Sequence, residues 1–489
     1  MKLNDKTVYE LHQLLAKREV SVAEIVTAYR RQTEALEPEI NAFIHFDGEN
    51  VLRKAKELDD ELAGGKELTP LTGIPIGLKD NIATKGIATT NASKMLKDYF
   101  PPFNAAVVDK LVSLDGIMFG KLNMDELAMG TSGENSAFGP TKNPWDFDKV
   151  PGGSSSGSAA SVASGSVPLS LGTDAGGSIR QPAALCGVVG LKPTYGLVSR
   201  YGVTPMAASM DCVGPLARNV RDCAILLGAL AGQDGKDATT LAAPKVDYLK
   251  ALEGEVKGLR VGVPEEYFGD NVDAEIKSLI FKALRQLESM GALIEEFSLP
   301  YSPLALTAYH LIAPTEISSN LARLDGVRYG FRDQQAEDVE AMFLGSRSKG
   351  LGREAKFRTI LGHFASGPGH FQDYYVKGLK MRTLVQEDFE RAFDRYDILV
   401  TPTSGRVAWS LNNEDKKTAG IYTRDICTIP VNLAGLPALS LPCGLSDGLP
   451  VGLQLIGNKL SEALLLKTAY NLEQAIDFPK ELKGGRNND

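Results

Sequence analysis

Apolar positions recur at helical spacing from the start of the chain. Leu11, Leu14 and Leu15, then Ile25, Val26 and Tyr29, form stripes along two segments. Each segment opens with a hydroxyl residue and a glutamate three positions on: Thr7-Val8-Tyr9-Glu10 and Ser21-Val22-Ala23-Glu24. In such a capping box the hydroxyl and the carboxylate satisfy amides that the first helical turn leaves free, so two helices are predicted. Residues 51–63 predict a third, highly charged one. Together they read as a helical layer over about residues 1–65, packed and without chemistry of its own.

From Leu71 the pattern changes to short apolar runs broken by Gly, Pro and Asn. Gly73-Ile74-Pro75-Ile76-Gly77-Leu78 predicts a buried strand that ends on Lys79-Asp80-Asn81. A helix over 104–115 leads into a strand over Gly116–Gly120, and Gly187–Leu191 is another short strand. Further on, a strand at Leu259–Pro264, a helix over about 272–290 and a strand at Leu293–Leu299 form a β-α-β unit. Asp397–Thr401, Pro437–Pro442 and Val451–Ile456 are further strands, and a helix covers about 461–477. Near-continuous apolar strands alternating with helices predict one α/β domain over 1–489, its central mixed sheet covered on both faces. Its core spans about 70–220, and the charged helical segment at about 305–390 reads as an insertion. No internal repeat interrupts the pattern.

Composition changes this picture little. The 489 residues are 43% hydrophobic and 23% charged, as in an ordinary globular protein. With 53 Lys and Arg against 61 Asp and Glu, the net charge is −8, which argues against phosphate-backbone binding by this chain alone. Cys186, Cys212, Cys223, Cys427 and Cys443 include no C-x-x-C pair and are odd in number, so reduced thiols are expected, with no disulfide frame and no metal site. The start carries no apolar leader and no run of eighteen apolar residues occurs, so a cytoplasmic protein with no membrane span is expected.

The densest chemical signal is Gly152-Gly153-Ser154-Ser155-Ser156-Gly157-Ser158 followed by Gly172-Thr173-Asp174-Ala175-Gly176-Gly177-Ser178. A flexible linker would continue in polar filler, but strand-like apolar residues follow at Val162, Val167, Leu169 and Leu171. No Lys follows the glycines as a phosphate loop requires, and no strand, G-x-G-x-x-G and helix occur in order. What remains is a nucleophile: Gly176 and Gly177 let the backbone turn so that amides converge, and Ser178 opens a helix-like segment beyond them. Such a hydroxyl needs a base. His12, His45, His310, His363 and His370 all lie outside both segments, although folding could bring one in. Lys79, closing an apolar strand, is another candidate, because burial disfavours the ammonium form.

Gly73–Asp80, Gly152–Gly157 and Asp174–Arg180 resemble the amidase signature family, the group that includes fatty acid amide hydrolase. The resemblance implies that Lys79 is the base, Ser154 a relay in a cis peptide and Ser178 the nucleophile. The family separates relay and nucleophile by twenty-four residues, as Ser154 and Ser178 are separated here. Ala175, Gly176 and Gly177, with Ser178, would supply oxyanion-hole amides. Asp125–Gly130, Asn135–Pro140, Ser318–Arg323, Gly326–Gly330, Thr428–Pro430 and Asn432–Gly435 are similar to one branch of the family, the glutaminase chains of tRNA-dependent amidotransferases. The likeness runs from about residue 5 to about 480.

That branch implies glutamine as substrate. Ammonia would pass to a partner that uses ATP and Mg2+ to amidate Glu-tRNA(Gln), in a complex with B and C subunits that hold most of the tRNA. This chain would bind no cofactor and no metal. Glutamine is a zwitterion, so a selective pocket opposes its α-carboxylate with a cation and its α-amine with an anion. By resemblance Tyr309, Arg358 and Asp425 take these roles. Two alternatives are a stand-alone amidase for small or aryl amides, and a scaffold subunit that keeps the fold without catalysis.

Overall fold

The computed structural model describes residues 2–412 and 425–479, so both ends of the 1–489 domain reading lie outside the described residues. Helices α1 (Val8–Ala16) and α2 (Val22–Ile40) both start in the expected capping boxes. Thr7 Oγ1 accepts from the Glu10 amide at 3.1 Å, while the Thr7 amide donates to Glu10 Oε2 at 2.8 Å. The chain continues through β1 (Phe43–Phe46), α3 (Gly48–Ala63), β2 (Pro75–Lys79), α4 (Ala106–Ser113), β3 (Ile117–Leu122), α5 (Ser156–Ala163), β4 (Leu169–Asp174), α6 (Arg180–Cys186), β5 (Val189–Lys192), β6 (Cys212–Ala217) and α7 (Val220–Leu230). The β-α-β unit follows as β7 (Arg260–Pro264), α8 (Ala274–Ser289) and β8 (Leu293–Phe297), with its strands parallel. Four helices come next: α9 (Leu304–Leu321), α10 (Val339–Gly350), α11 (Arg353–Ser366) and α12 (Lys377–Arg395). The chain ends with β9 (Ile398–Pro402), α13 (Ile429–Ala434), β10 (Ala438–Ser446), β11 (Leu449–Gly457) and α14 (Glu462–Ala475).

All eleven strands join one mixed sheet in the order β1-β3-β2-β4-β6-β5-β10-β11-β9-β7-β8. Strand β2 runs parallel to both neighbours, β3 and β4, so Lys79 and Asp174 end adjacent regions of the same sheet edge. Every residue of β2, β4, β5, β6 and β9 is buried, which is why these strands read as unbroken apolar or small-residue runs. The edge strand β8 is mostly exposed and ends the sheet with Glu295 and Glu296.

Some local readings change. Val162 is not in a strand but in α5, a helix otherwise of Ser, Gly and Ala that follows directly on the loop bearing Ser154. Small residues are required there: a Cβ on Gly157 would meet the Asn123 amide at 2.6 Å. The strands β1 and β6 and the helix α7 were not anticipated. The segment 305–390 is helical as expected, and its Tyr309, Ile312 and Ala355 share one apolar cluster with Ala175, Met124 and Leu127. The five cysteines are buried and free. Among the described residues no helix is long and apolar enough to cross a membrane.

The sheet leaves little room around β2. A Cβ on Gly77 would lie 2.5 Å from Leu122 Cδ1 on the neighbouring strand. We expect Gly77→Val to lower stability by about 1–3 kcal/mol, read from the urea midpoint, because the added carbons have nowhere to go.

Candidate active site

Lys79 stands at the end of β2 and is fully buried. Its Nζ lies 2.8 Å from Ser154 Oγ, 2.9 Å from Ser155 Oγ and 3.3 Å from the Thr173 carbonyl. Burial lowers its pKa from 10.5 to about 7, against the opposing pull of Asp125, Asp174 and Asp211. Two other lysines are as deeply buried, Lys121 and Lys192, and their surroundings differ. Lys121 sits 3.5 Å from the Asp80 carboxylate and donates to the Ile82 carbonyl, while Lys192 donates to the Pro193 carbonyl. Only Lys79 of these three faces serine hydroxyls.

The Gly153–Ser154 peptide is cis. Both of its sides are held: the Asp125 amide donates to the Ser154 carbonyl at 3.2 Å, and the Gly153 amide donates to Gln181 Oε1 at 3.0 Å. Gln181 is braced in turn by the Thr131 carbonyl. A side chain at position 153 would collide with the Asp125 carboxylate, so glycine is needed at that point. The Asp125 carboxylate accepts from the Gly133 and Asn135 amides, and burial pushes its pKa up to about 6.

Ser178 lies between β4 and α6 and is half-buried, whereas Ser154 and Lys79 are closed to solvent. The Ser155 amide donates to the Ser178 carbonyl at 3.1 Å, which ties the two Gly/Ser segments together. The turn that carries Ser178 is shaped by Asp174. Its carboxylate accepts from the Gly177 amide at 2.8 Å, the Ile179 amide at 3.1 Å and Arg180 at 3.0 Å through Nε and Nη2. Burial alone would raise the Asp174 pKa, but the Arg180 guanidinium outweighs it and holds the group ionised below the usual carboxylate range. Of the amides expected in an oxyanion hole, that of Gly177 therefore points at Asp174. Those of Ala175, Gly176 and Ser178 make no hydrogen bond among the described residues.

Tyr309, Arg358 and Asp425 are far apart in sequence and meet beside this turn. Tyr309 is buried in α9, and a Cβ on Gly176 would come within 2.9 Å of its hydroxyl. Its pKa is pushed up to about 12 by burial, with Arg358 pulling the other way and Asp425 and Asp211 adding to the rise. Arg358, buried in α11, donates from Nε to Glu354 Oε1 at 2.7 Å. The Asp425 carbonyl accepts from the Thr428 amide, and Thr428 Oγ1 donates to the Gly176 carbonyl at 2.6 Å. Gly177 has φ +132°, and a Cβ there would meet the Thr428 Cβ at 2.7 Å. An arginine, an aspartate and a phenol thus gather beside the Gly176 turn.

Comparison with known proteins shows the family. The amidase family model matches residues 24–466. The chain belongs to the amidase family. It is 50% identical over 478 residues to the A subunit of glutamyl-tRNA(Gln) amidotransferase from Moorella thermoacetica, covering 98% of each chain. The crystal structure of the same-named chain from Thermotoga maritima superposes with a TM-score of 0.83 at 36% identity, covering 99% of both chains. A bacterial aryl acylamidase of the amidase signature family reaches a TM-score of 0.85 at 26% identity, covering 96% of both chains. The fold is thus shared by chains named for different activities.

Sequence reasoning passed over Ser155, Asp125, Thr428 and the Asp174–Arg180 pair as working parts. Ser155 lies inside the quoted Gly/Ser run, but nothing in that run tells which hydroxyl faces Lys79. A neutral Lys79 base has a direct consequence for pH dependence. Acylation of Ser178 by a small uncharged reagent should rise about tenfold per pH unit up to about pH 7 and level off above it, since protonation removes the base. A profile that keeps rising toward pH 10 would contradict the assignment.

Proposed function

We propose that the chain is the glutaminase subunit of a tRNA-dependent amidotransferase, with Lys79, Ser154 and Ser178 as its catalytic residues. The observation that carries this reading is the meeting of Tyr309, Arg358 and Asp425 at the Gly176 turn, beside a buried lysine in contact with Ser154. Arg358 matches the α-carboxylate of glutamine, Asp425 matches its α-ammonium, and the Tyr309 hydroxyl stands against the Gly176 backbone.

In this mechanism Ser178 Oγ attacks the carboxamide carbon, and its proton passes through Ser154 to neutral Lys79. The amides of Ala175, Gly176 and Ser178 receive the developing oxyanion, since that of Gly177 is taken by Asp174. As the C–N bond breaks, protonated Lys79 returns a proton through Ser154 to the leaving nitrogen, and ammonia departs. Water then attacks the γ-glutamyl ester on Ser178, with Lys79 again the base, to give glutamate. The lowered pKa of Lys79 supports this route, because an amine that titrates near 7 can both take and return the proton.

The ammonia goes to a partner subunit, which uses ATP and Mg2+ to convert Glu-tRNA(Gln) to Gln-tRNA(Gln). We take the complex to be a cytoplasmic heterotrimer with B and C subunits. Nucleotide and tRNA then belong mainly to the partners, and the net charge of −8 on this chain favours that division.

Two substitutions test the reading in the purified enzyme with whatever partner chains accompany it. Ser178→Ala should lower glutamine hydrolysis by about 10³-fold or more. Arg358→Ala should raise KM for glutamine by about 10-fold or more while Ser178 still reacts with phenylmethanesulfonyl fluoride at the normal rate. Full activity in Ser178→Ala would overturn the mechanism. Turnover of simple amides well above that of glutamine, unchanged in Arg358→Ala, would point instead to a stand-alone amidase.

A further inference from the structure

Glu126 is a buried carboxylate that the mechanism does not use. It directly follows Asp125, which holds the cis-peptide relay through its amide and orders the 133–135 loop through its carboxylate. The Glu126 side chain reaches the other way. Its Oε2 accepts from the Gly352 amide at 2.8 Å, and its Oε1 accepts from the Ser93 hydroxyl at 2.5 Å. Gly352 is the N-cap of α11, the helix that carries Arg358 six residues further on. A Cβ at 352 would collide with the carboxylate, so the contact is as close as glycine permits.

We propose that Glu126 is a positioning residue that docks the start of α11 onto the catalytic core and so sets where Arg358 meets substrate. Three observations support it. First, a carboxylate facing an amide at the start of the helix satisfies a group the helix leaves free and complements the dipole, which favours one fixed placement of that end. Second, the base from which Glu126 reaches is itself rigid. The Glu126 amide donates to the Asn135 carbonyl and the Leu127 amide to the Asn91 carbonyl, while Leu127 and Ala128 sit at φ 52° and 62°. Non-glycine residues hold that left-handed conformation only where their surroundings dictate it. Third, the packing of α11 is one-sided: Ala355 is buried and a Cβ on Gly362 would meet the Pro314 carbonyl of α9, while Ile360 on the outer face is 69% exposed. Asp125 and Glu126 are neighbours in the chain, so one short segment holds both the relay serine and the substrate helix.

The proposal rests on the glutaminase reading, and its test separates the two. Glu126→Ala, Glu126→Gln and Gly352→Ala are compared with wild type and Arg358→Ala in the intact enzyme. The readouts are steady-state glutamine kinetics and the rate at which phenylmethanesulfonyl fluoride, which carries neither carboxylate nor amine, labels Ser178. We expect Glu126→Ala to raise KM about 10-fold with labelling unchanged, and Glu126→Gln, whose amide oxygen still accepts from Gly352, to stay within about 2-fold of wild type. Gly352→Ala displaces the carboxylate without removing it, so it should raise KM in the same direction even in a case where Glu126→Ala does not fold. An unchanged KM in Glu126→Ala or Gly352→Ala, alongside a raised KM in Arg358→Ala, would overturn the role of Glu126 alone. Labelling that falls in step with glutamine turnover would also overturn it, since that marks general damage to the core. Failure of the wild type to hydrolyse glutamine, or an Arg358→Ala variant with normal KM, would overturn the glutaminase reading itself.

Discussion

A primary amine enclosed in protein with hydroxyls for company is the constraint on which the rest of the site depends. Lys79 has no carboxylate within salt-bridge distance among the described residues, whereas Lys121, on the neighbouring strand β3, sits beside Asp80. Placed in water or beside an anion, Lys79 would keep its proton and be useless as a base. The sheet supplies the burial. β2 is flanked on both sides by parallel strands, and its last residue is carried inward against the loop that bears Ser154. The three acidic side chains that pull the Lys79 pKa upward act from beyond its first contacts, so burial wins.

Around that amine much of the chain's polar chemistry goes into holding backbone. Asp174 and Arg180 form a buried pair whose hydrogen bonds go to the turn, to Thr428 and to the Asn432 and Gln454 side chains. An ion pair of this kind is a poor source of stability in itself, because desolvation offsets the attraction. Its value is geometric: it fixes the backbone from Gly177 to Ile179 and links the nucleophile to α13. Asp125 and Glu126 do similar work on the opposite side. The turn at Ser178 and the first residue of α11 are each met by a buried carboxylate, and the Ser154 carbonyl by the Asp125 amide.

Much of this was legible in the sequence, for identifiable reasons. Capping boxes are local, so α1 and α2 began where Thr7 and Ser21 predicted. Fully buried strands have no polar face, so β2 and β9 stood out as apolar runs. Strand β6, Cys212 to Ala217, did not, because Gly214 and Pro215 interrupt it and only its pairing with β4 and β5 makes it a strand. The expectation of a triad at Lys79, Ser154 and Ser178 came from motif resemblance, whereas the burial of Lys79 could be seen only in the fold. Thr428 and Glu126 carry no local signal: each acts on a partner more than 200 positions away, Gly176 and Gly352, and such partners become visible only once the helices pack. The direction of the Gly177 amide was likewise invisible, because spacing says that a turn exists and not which way each N–H faces.

The central claim is that Lys79 is neutral at working pH, and its titration tests this most directly. NMR of the side-chain Cε and Nζ of isotopically labelled lysine, with the Lys79 signal assigned by its loss in Lys79→Met, would follow the group itself. The account predicts a midpoint near 7, far below the ordinary value of 10.5. A signal that stays that of an ammonium group to pH 9 and beyond would contradict it.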